Sequence, residues 1–281
     1  MTGVLGIATK YAEGLLAVKY RVQTEDGKML GGPMYALERG LGCRWLGWTF
    51  AFCTIVASFF IGNMIQCNSI SMLLEEGYHI SPFATGITIA LLTCAVIMFG
   101  VKGIARVCEG LVPFMAVFYV GGCLWLLGVN HAYVWPALRL IVTDAFSPQA
   151  ATGGFVGASM MIAMRYGIAR GLFSNESGLG SAPIVAAAAR TKNPVRQALV
   201  SSTSPFWDTV VICAITGLVL VSSIMANPEI DSSAGATLTK VAFGQIPTFG
   251  PFVLTMGIVT FSFSTILGWS YLGEKALEYL F

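Results

Sequence analysis

A polar stretch, RGLFSNESGLGSAPIVAAAAR at 170–190, interrupts an otherwise apolar part of the chain. It places the carboxylate of Glu176 and the amide of Asn175 beside glycines and a proline, which weaken helices. In a membrane, irregular backbone survives only where it is buried in protein or lines a watery cavity. Its freed N–H and C=O groups can then bind a ligand, and a half-helix that begins after the break turns its positive end to the cavity. The stretch therefore favours a ligand site on a broken helix over a plain Gly/Pro kink.

Two further segments combine polar side chains with apolar surroundings. In IGNMIQCNSIS (61–71), Asn63 and Gln66 are three residues apart, so they share one face of a helix. In TFSFSTILGWSY (260–271), a run of hydroxyls precedes Trp269. Hydroxyls and carbonyls are hard oxygen ligands that suit an alkali cation, and an indole can wall a small apolar group. The alternative for either segment is that small polar residues hold helices together in lipid.

Ionisable residues inside apolar segments are the remaining candidates, because they are costly at membrane depth. A structural role, as an ion pair or as a side chain reaching the interface, is the alternative for each, and we favour it for Asp208 and Arg165. Besides Glu176, these residues are Glu13, Arg165, Arg170 and Asp208.

Composition defines the class of protein. Of 281 residues, 56% are hydrophobic and 11% charged, too few charges to cover a water-facing surface. The net charge of +2 gives no reason to expect a nucleic-acid partner. The seven cysteines lack ligand or disulfide spacing, and the two histidines lie near predicted loops, so metal centres and catalysis have little support. We expect an all-α polytopic membrane protein that is not an enzyme and has no cofactor.

Charge-free windows predict about seven membrane spans within a single transmembrane domain, 1–281. A span needs about 20 apolar residues. Basic residues concentrate in 19–45, 102–109 and 190–198, which places these loops in the cytoplasm. The alternation requires the polar stretch to cross only once. The predicted spans are 1–18, 46–74, 83–101, 110–128, 155–189 (broken near 173–180), 199–223 and 249–271.

Several runs resemble the sodium:alanine symporter family, also called the alanine or glycine:cation symporters. The matches occur in the family's order and cover nearly the whole chain apart from the outer loops. They are ATKYAEGLLAVKYR (8–21), GGPMYALERGLG (31–42), FIGNMIQCNSIS (60–71), the run 171–219 that begins GLFSNESGLGSAP, and FSFSTILGWSYLGEKALEYLF (261–281).

The resemblance implies a fold and an activity. The fold is the LeuT-type inverted-repeat transporter fold, here incomplete, with this chain corresponding to helices two to eight and 155–189 to the broken sixth helix. The activity is symport of a small neutral amino acid, alanine or glycine, with Na⁺ as the coupling ion, by alternating access. The implied location is the lipid bilayer of the plasma membrane, in a bacterium the inner membrane.

The resemblance also implies roles for individual residues. Gln66 would contact the substrate, while Phe173 and Trp269 would enclose its small side chain. The broken segment would bind the amino or carboxylate group, and two hydroxyls of the last span would ligate Na⁺. The remaining implied substrate residues are Ser174, Asn175, Ser177, Gly178 and Gly180; the Na⁺ ligands are Ser264 and Thr265; and Glu176, Arg170 and Asp208 would be gating or structural.

The resemblance implies that the chain departs from the family pattern, since we expect the unwound, Gly-rich first helix and the ninth and later helices to be absent from it. In this fold the first helix supplies half of the substrate and sodium sites. The resemblance therefore leaves two alternatives to symport: a truncated fragment that does not transport, and a passive channel or uniporter.

Overall fold

The computed structural model describes residues 2–25, 27–145, 171, 174–227, 237–246 and 249–281. These residues are mostly helical, with one short antiparallel hairpin in which Val22 pairs with Leu30 and Gln23 with Met29. The elements are α1 (Thr2–Lys19), β1 (Val22–Gln23), β2 (Met29–Leu30), α2 (Pro33–Leu41), α3 (Arg44–Ala57), the π-helical segment π1 (Ser58–Met64), α4 (Ile65–Tyr78), α5 (Pro82–Ile97), α6 (Gly100–Val129), α7 (His131–Ala145), α8 (Ser181–Ala187), α9 (Pro194–Ser202), the π-helical segment π2 (Phe206–Cys213), α10 (Ala214–Ala226), α11 (Thr237–Gly244) and α12 (Phe249–Leu280).

Four helical runs among the described residues are long and apolar enough to cross a membrane. Large apolar side chains such as Phe59, Val117 and Trp207 are more than 60% exposed on three of them, as expected of surfaces that face lipid. The chain is therefore a mostly helical, multi-pass membrane protein. The four runs are Arg44–Tyr78, Gly100–Val129, Pro194–Ala226 and Gly250–Leu280.

These runs contain the predicted spans 46–74, 110–128 and 199–223, and nearly all of 249–271. Span 1–18 corresponds to the 18-residue helix α1, and span 83–101 to the shorter apolar helix α5. Most of span 155–189 lies outside the described residues. Seven crossings therefore stay a prediction.

Several segments between the predicted spans are helical rather than irregular. The basic segment 102–109 lies inside α6, and helices α2, α7 and α11 lie within segments expected to be loops. Charge marks where a chain leaves lipid, but it does not end a helix, because long basic side chains can extend to the interface from a continuous helix. Charge-free windows therefore located the apolar cores of the helices better than their ends.

The described residues form two compact units. Unit 1 comprises Met1–Tyr11, Val120–Leu179 and Leu199–Phe252. Unit 2 comprises Ala12–Tyr119, Gly180–Ala198 and Val253–Phe281. Each unit has its own packing. In unit 2 a core of Met34, Ile104, Ile184, Leu267 and Leu272 lies between helices that are far apart in sequence.

Both π-helical segments lie in the middle of membrane-length runs. π1 joins α3 to α4, and π2 lies between α9 and α10. π-helical turns are rare and occur often at functional sites, because the wider turn shifts side chains to new angles. Here π1 carries Gly62 and Asn63, and π2 carries Asp208 and Thr209.

In unit 2, tyrosines and charged side chains join α2 to the end of α12. The hydroxyl of Tyr279 donates to Glu38 Oε2 at 2.9 Å, and Arg44 Nε lies 3.7 Å from Glu38 Oε1. Tyr35 packs edge-on against the ring of Tyr279. Burial raises the pKa of Tyr35, and the nearby carboxylates of Glu278 and Glu38 raise it further. Tyr35 is therefore neutral at physiological pH.

The side chain of Arg21 caps the C-terminal end of α8 in unit 2. Arg21 Nη1 donates to the carbonyls of Ala187 at 3.2 Å and Ala189 at 2.7 Å, and its Nη2 donates to the carbonyl of Thr191 at 2.7 Å. The last carbonyls of a helix have no partner within the helix, so an external donor is needed. Arg21 therefore anchors the segment after the interrupted stretch to the hairpin that follows α1.

Replacing Arg21 by Gln should lower the stability of the protein by about 2 kcal/mol, because three charge-assisted hydrogen bonds are lost. The matched control is Arg39→Gln, since Arg39 is an exposed basic residue of α2. Thermal unfolding in detergent micelles, followed by tryptophan fluorescence, measures both variants. Equal midpoints for the two variants would contradict an anchoring role for Arg21.

Candidate functional site

The polar stretch singled out in the sequence interrupts the helical backbone. Ser174 and Asn175 are helical, residues 176–180 are not, and α8 begins at Ser181. The backbone is left-handed at Glu176 (φ 51°), Gly178 (φ 86°) and Gly180 (φ 78°). A left-handed residue with a Cβ costs about 1 kcal/mol, so Glu176 is held by its surroundings. Phe173 and Arg170 lie outside the described residues.

Gly180 is required by both its torsion and its packing. Its left-handed backbone favours glycine, and a Cβ there would lie 2.7 Å from the ring of Phe50 and 2.8 Å from Pro33. Any side chain would therefore push α8 away from α2 and α3 within unit 2. Packing and backbone torsion therefore explain why position 180 is a glycine. The resemblance also implies Gly180 as a substrate residue.

In unit 1, two side chains of the interrupted segment are almost fully buried against α1 and π2. Asn175 is 2% exposed and Ser177 is 3% exposed. Ser177 Oγ donates to the carbonyl of Gly6 at 3.3 Å, and Thr209 Oγ1 donates to Asn175 Oδ1. A Cβ at Gly6 would lie 2.9 Å from Ser177 Oγ, so only glycine lets α1 approach this closely.

The amide nitrogen of Asn175 is the open position in this cluster. Asn175 Nδ2 is buried and has no hydrogen-bond partner among the described residues. A buried donor without a partner costs about 1–3 kcal/mol, and a ligand with an acceptor oxygen would relieve that cost. Asn175 is therefore the side chain of the segment best suited to bind such an oxygen.

Asp208 connects the interrupted segment to π2. Ser174 Oγ donates to Asp208 Oδ2 at 2.6 Å, and Thr209 Oγ1 lies 3.3 Å from the same oxygen. Asp208 thus bonds to the end of the helical part of the segment, and the structural role expected for it stays a prediction. Glu176, which directly follows Asn175 in the sequence, is half-buried and makes a polar interaction.

A second group of expected site residues lies in unit 2. Trp269 packs against Gly62 of π1 so closely that a Cβ at Gly62 would overlap the indole. Gln66 is half-buried one helical turn further along the same run. Because Gly62 has no side chain, π1 and α12 can approach each other closely. The indole of Trp269 therefore lies beside the helical run that carries Gln66.

The hydroxyls of Ser264 and Thr265 share one acceptor. Ser264 Oγ donates to the carbonyl of Phe261 at 2.8 Å, and Thr265 Oγ1 donates to the same carbonyl at 2.9 Å. Because their hydrogens are used within α12, each oxygen keeps its lone pairs for another partner. Such oxygens can ligate a hard cation, although the same bonds occur in helices that bind none.

The expected site residues that the structure describes thus form two groups, one within each unit. Neither Thr209 nor Gly6 was singled out in the sequence, yet they are the direct partners of Asn175 and Ser177. Thr209 directly follows Asp208, so a search for hydroxyls beside intramembrane carboxylates would have found it. Gly6 carries no such signal, because its contribution is a backbone carbonyl and the lack of a side chain. Among the described residues, no group of three or more His, Cys, Asp or Glu side chains could hold a metal ion.

Replacing Thr209 by Val should loosen the interrupted segment, because Asn175 Oδ1 then loses its donor in a buried site. The expected loss of stability is about 1–3 kcal/mol. Hydrogen exchange of peptides covering 174–187, measured by mass spectrometry, should become faster. The matched control is Thr143→Val, since the hydroxyl of Thr143 donates within its own helix, to the carbonyls of Arg139 and Leu140. Unchanged exchange in Thr209→Val would exclude Thr209 as a support of the segment.

The amino-acid sequence is similar to those of several known transport proteins. An uncharacterized transporter of Haemophilus influenzae is 49% identical over 284 residues, covering 100% of this chain and 62% of the relative. The sodium/alanine symporter AgcS of Methanococcus maripaludis is 47% identical over 285 residues, with the same coverages. A putative sodium/proton-dependent alanine carrier protein of Bacillus subtilis, YrbD, is 34% identical and is covered over 58% of its length. The chain thus spans about three fifths of the length of these relatives.

The family model of the sodium:alanine symporters matches residues 1–281. This family consists of transport proteins rather than enzymes, and the apolar helices agree with a location in the plasma membrane. The chain belongs to the sodium:alanine symporter family.

Proposed function

We propose that the protein couples uptake of a small neutral amino acid, alanine or glycine, to Na⁺ by alternating access. The observation that carries the proposal is the interrupted segment 174–180, with its left-handed backbone and the open amide nitrogen of Asn175. In secondary transporters, substrates bind where membrane helices are discontinuous. The match to relatives named as sodium/alanine symporter and alanine carrier supports the choice of substrate and ion.

The substrate's carboxylate would take the position that Asn175 Nδ2 leaves open. A carboxylate accepts hydrogen bonds, and Asn175 Oδ1 is already used by Thr209. Ser177 and Asp208 would keep Asn175 in place through Gly6 and Ser174. Gly178 is exposed and left-handed, which would give the backbone room to turn toward a ligand.

Unit 2 would contribute the remaining substrate and ion groups. Gln66 would contact the polar part of the amino acid, and Trp269 would pack against its methyl-sized side chain; the same contact is proposed for Phe173, which belongs to unit 1 and lies outside the described residues. Ser264 and Thr265 would ligate Na⁺ through the lone pairs that their bonds to Phe261 leave free. The LeuT-type arrangement of inverted repeats is the fold we propose for this chain.

The coupling follows from the charges involved. A zwitterionic amino acid brings a carboxylate and an ammonium into a site of low dielectric, where each needs a partner. Bound Na⁺ would stabilise the substrate's carboxylate, and the substrate in turn would favour the Na⁺-bound state. The Na⁺ gradient would then drive accumulation without any chemical change to the substrate.

Uptake of radiolabelled alanine into proteoliposomes tests the proposal. Two proteins are compared: the 281-residue chain, and a chimera in which it replaces the matching region of the Methanococcus relative. Uptake by the chimera should exceed equilibrium only with an inward Na⁺ gradient. Equal uptake with and without the gradient would support a passive uniporter and exclude coupling. Accumulation by the chimera but not by the 281-residue chain would identify the chain as an incomplete transporter.

Replacing Gln66 by Ala in the chimera should raise the half-saturating alanine concentration about tenfold, as expected for one lost hydrogen bond to a charged substrate. The control is Gln23→Ala, because Gln23 is an exposed residue of the hairpin. Uptake at a series of alanine concentrations separates this effect from a change in maximal rate. An unchanged half-saturating concentration would remove Gln66 from the site.

Replacing Thr265 by Val in the chimera should raise the half-saturating Na⁺ concentration, because one oxygen ligand is lost while the helix keeps its shape. The control is Ser270→Ala, since Ser270 donates to its own helix at Ile266 in the same way. The measurement is alanine uptake against Na⁺ concentration at fixed ionic strength. A similar Na⁺ dependence for both variants would contradict a ligand role for Thr265.

A further inference from the structure

Three exposed cationic side chains surround the C-terminal end of α2 in unit 2. Arg39 lies in the last turn of α2, and Arg44 is the first residue of α3. The ammonium of Lys19, the last residue of α1, lies 5.3 Å from the centre of the Tyr20 ring. That ring packs against Gly40, where a Cβ would lie 3.1 Å from it, so Lys19 is positioned beside the same turn of α2. We call Lys19, Arg39 and Arg44 the basic cluster.

The cations of the basic cluster are only weakly compensated. Arg44 Nε lies 3.7 Å from Glu38 Oε1, which is beyond hydrogen-bond distance, and the Arg44 side chain is 75% exposed. An ion pair as exposed as this one contributes little to stability. In the described part of the chain, neither Arg39 nor Lys19 has a hydrogen-bond or salt-bridge partner. The guanidinium and ammonium groups of the cluster therefore keep donors available for an anion.

The carboxylates of α12 that lie near α2 are already engaged. The ammonium of Lys275 binds Glu274 at 3.0 Å and Glu278 at 2.6 Å, and Lys275 is only 4% exposed. The hydroxyl of Tyr279 donates to Glu38 Oε2 at 2.9 Å. The basic cluster therefore presents three exposed cations beside one half-buried carboxylate, Glu38, whose second oxygen is already bound.

Large apolar side chains next to the basic cluster are exposed. Leu41 and Trp45 are each 68% exposed, Trp48 is 48% exposed and Phe52 is 62% exposed. Trp45, Trp48 and Phe52 are three and four residues apart, so they share one face of α3. A membrane-length run begins at Arg44, so this face enters the lipid directly beside the cluster. Since tryptophans are enriched at the membrane–water interface, the basic cluster lies at the level of the phospholipid headgroups.

The combination of positive charge and apolar surface restricts what this part of unit 2 binds. A soluble anion would pair with the cations but would leave the apolar face uncovered. A neutral phospholipid would cover the face, but its own ammonium offsets the charge of its phosphate. An acidic phospholipid brings a net negative headgroup and an acyl chain together, and each Lys or Arg near a membrane surface favours such a lipid.

We infer that the basic cluster and the exposed face of α3 form a binding site for an acidic phospholipid. Its phosphate would accept hydrogen bonds from Arg39 and Arg44, because the planar fork of a guanidinium suits phosphate oxygens, and Lys19 would add positive charge. One acyl chain would lie along Trp45 and Trp48. The inference rests on this surface alone and does not depend on the proposed transport activity.

Native mass spectrometry of the 281-residue chain in detergent micelles tests the inference, with phosphatidylglycerol and phosphatidylcholine of identical acyl chains as probes. The first phosphatidylglycerol should bind about tenfold more tightly than the first phosphatidylcholine, and Arg39→Gln combined with Arg44→Gln should remove this preference. The matched control combines Lys28→Gln with Arg139→Gln, which removes the same charge from exposed positions in the hairpin and on α7. Thermal unfolding in lipid-free micelles checks that all variants are folded.

Three results would overturn the inference. The first is an equal affinity of the unmodified chain for the two lipids, which needs no variant to fold. The second is an equal loss of preference in the two double variants, because binding would then follow the total charge and not the basic cluster. The third is displacement of phosphatidylglycerol by an equal concentration of inorganic phosphate, because the cluster would then bind a free anion and not a lipid.

A further substitution tests the apolar part of the site. Trp45→Ala should weaken binding of the first phosphatidylglycerol about fivefold, because the acyl chain loses an aromatic contact. The matched control is Trp135→Ala, since Trp135 is 74% exposed on α7 in unit 1, away from the basic cluster. The same affinity in both variants would overturn the placement of the acyl chain along α3.

Discussion

The need to satisfy backbone and side-chain polar groups without water governs this molecule. In hydrocarbon, each unpaired N–H, C=O or hydroxyl is costly, so a helix can be interrupted only where neighbouring groups replace its lost bonds. The side chains of the segment 174–180 are tied to Gly6, Asp208 and Thr209 of unit 1 by hydrogen bonds. Arg21 meets this requirement at the other end of α8, in unit 2.

Hydroxyl groups in this chain meet the same requirement in two ways. Thr260 and Ser270 donate to carbonyls of their own helix, so their hydroxyl groups are hydrogen-bonded without a partner from another part of the protein. Ser174 and Ser177 donate instead to groups far along the chain. Bonds of the second kind tie a helix break to its neighbours, so they mark the segment as a built structure and not as a frayed helix end.

The sequence indicated the apolar helices and the polar stretch because both signals are local. Four membrane-length runs contain predicted spans, and the glycines at 178 and 180 adopt the left-handed backbone that glycine allows. The partners of the stretch have weaker local signals. Thr209 has one, because it follows the intramembrane carboxylate of Asp208, whereas Gly6 is recognised only once α1 is packed against Ser177.

Two other features also lacked a sequence signal. The π-helical segments contain ordinary helix residues, and tertiary packing decides where a wider turn is tolerated. The helices α7 and α11 lie between predicted spans, in stretches that the charge-free windows left as loops. The roles implied for Phe173 and Arg170 concern positions outside the described residues, and those for Gln66, Trp269, Ser264 and Thr265 remain predictions.

The wide turns of π1 have a consequence for how this chain tolerates length changes. A π-helical turn holds about one more residue than an α-helical turn, so π1 can lose one residue and become regular α-helix. The helix would remain continuous, and everything after π1 would keep nearly the same orientation relative to α3, because the wider turn had accommodated the extra residue. Gln66 and Cys67 would then still point in the same directions. In a regular α-helix a one-residue deletion rotates everything after it by about 100°, whereas here π1 would absorb the change.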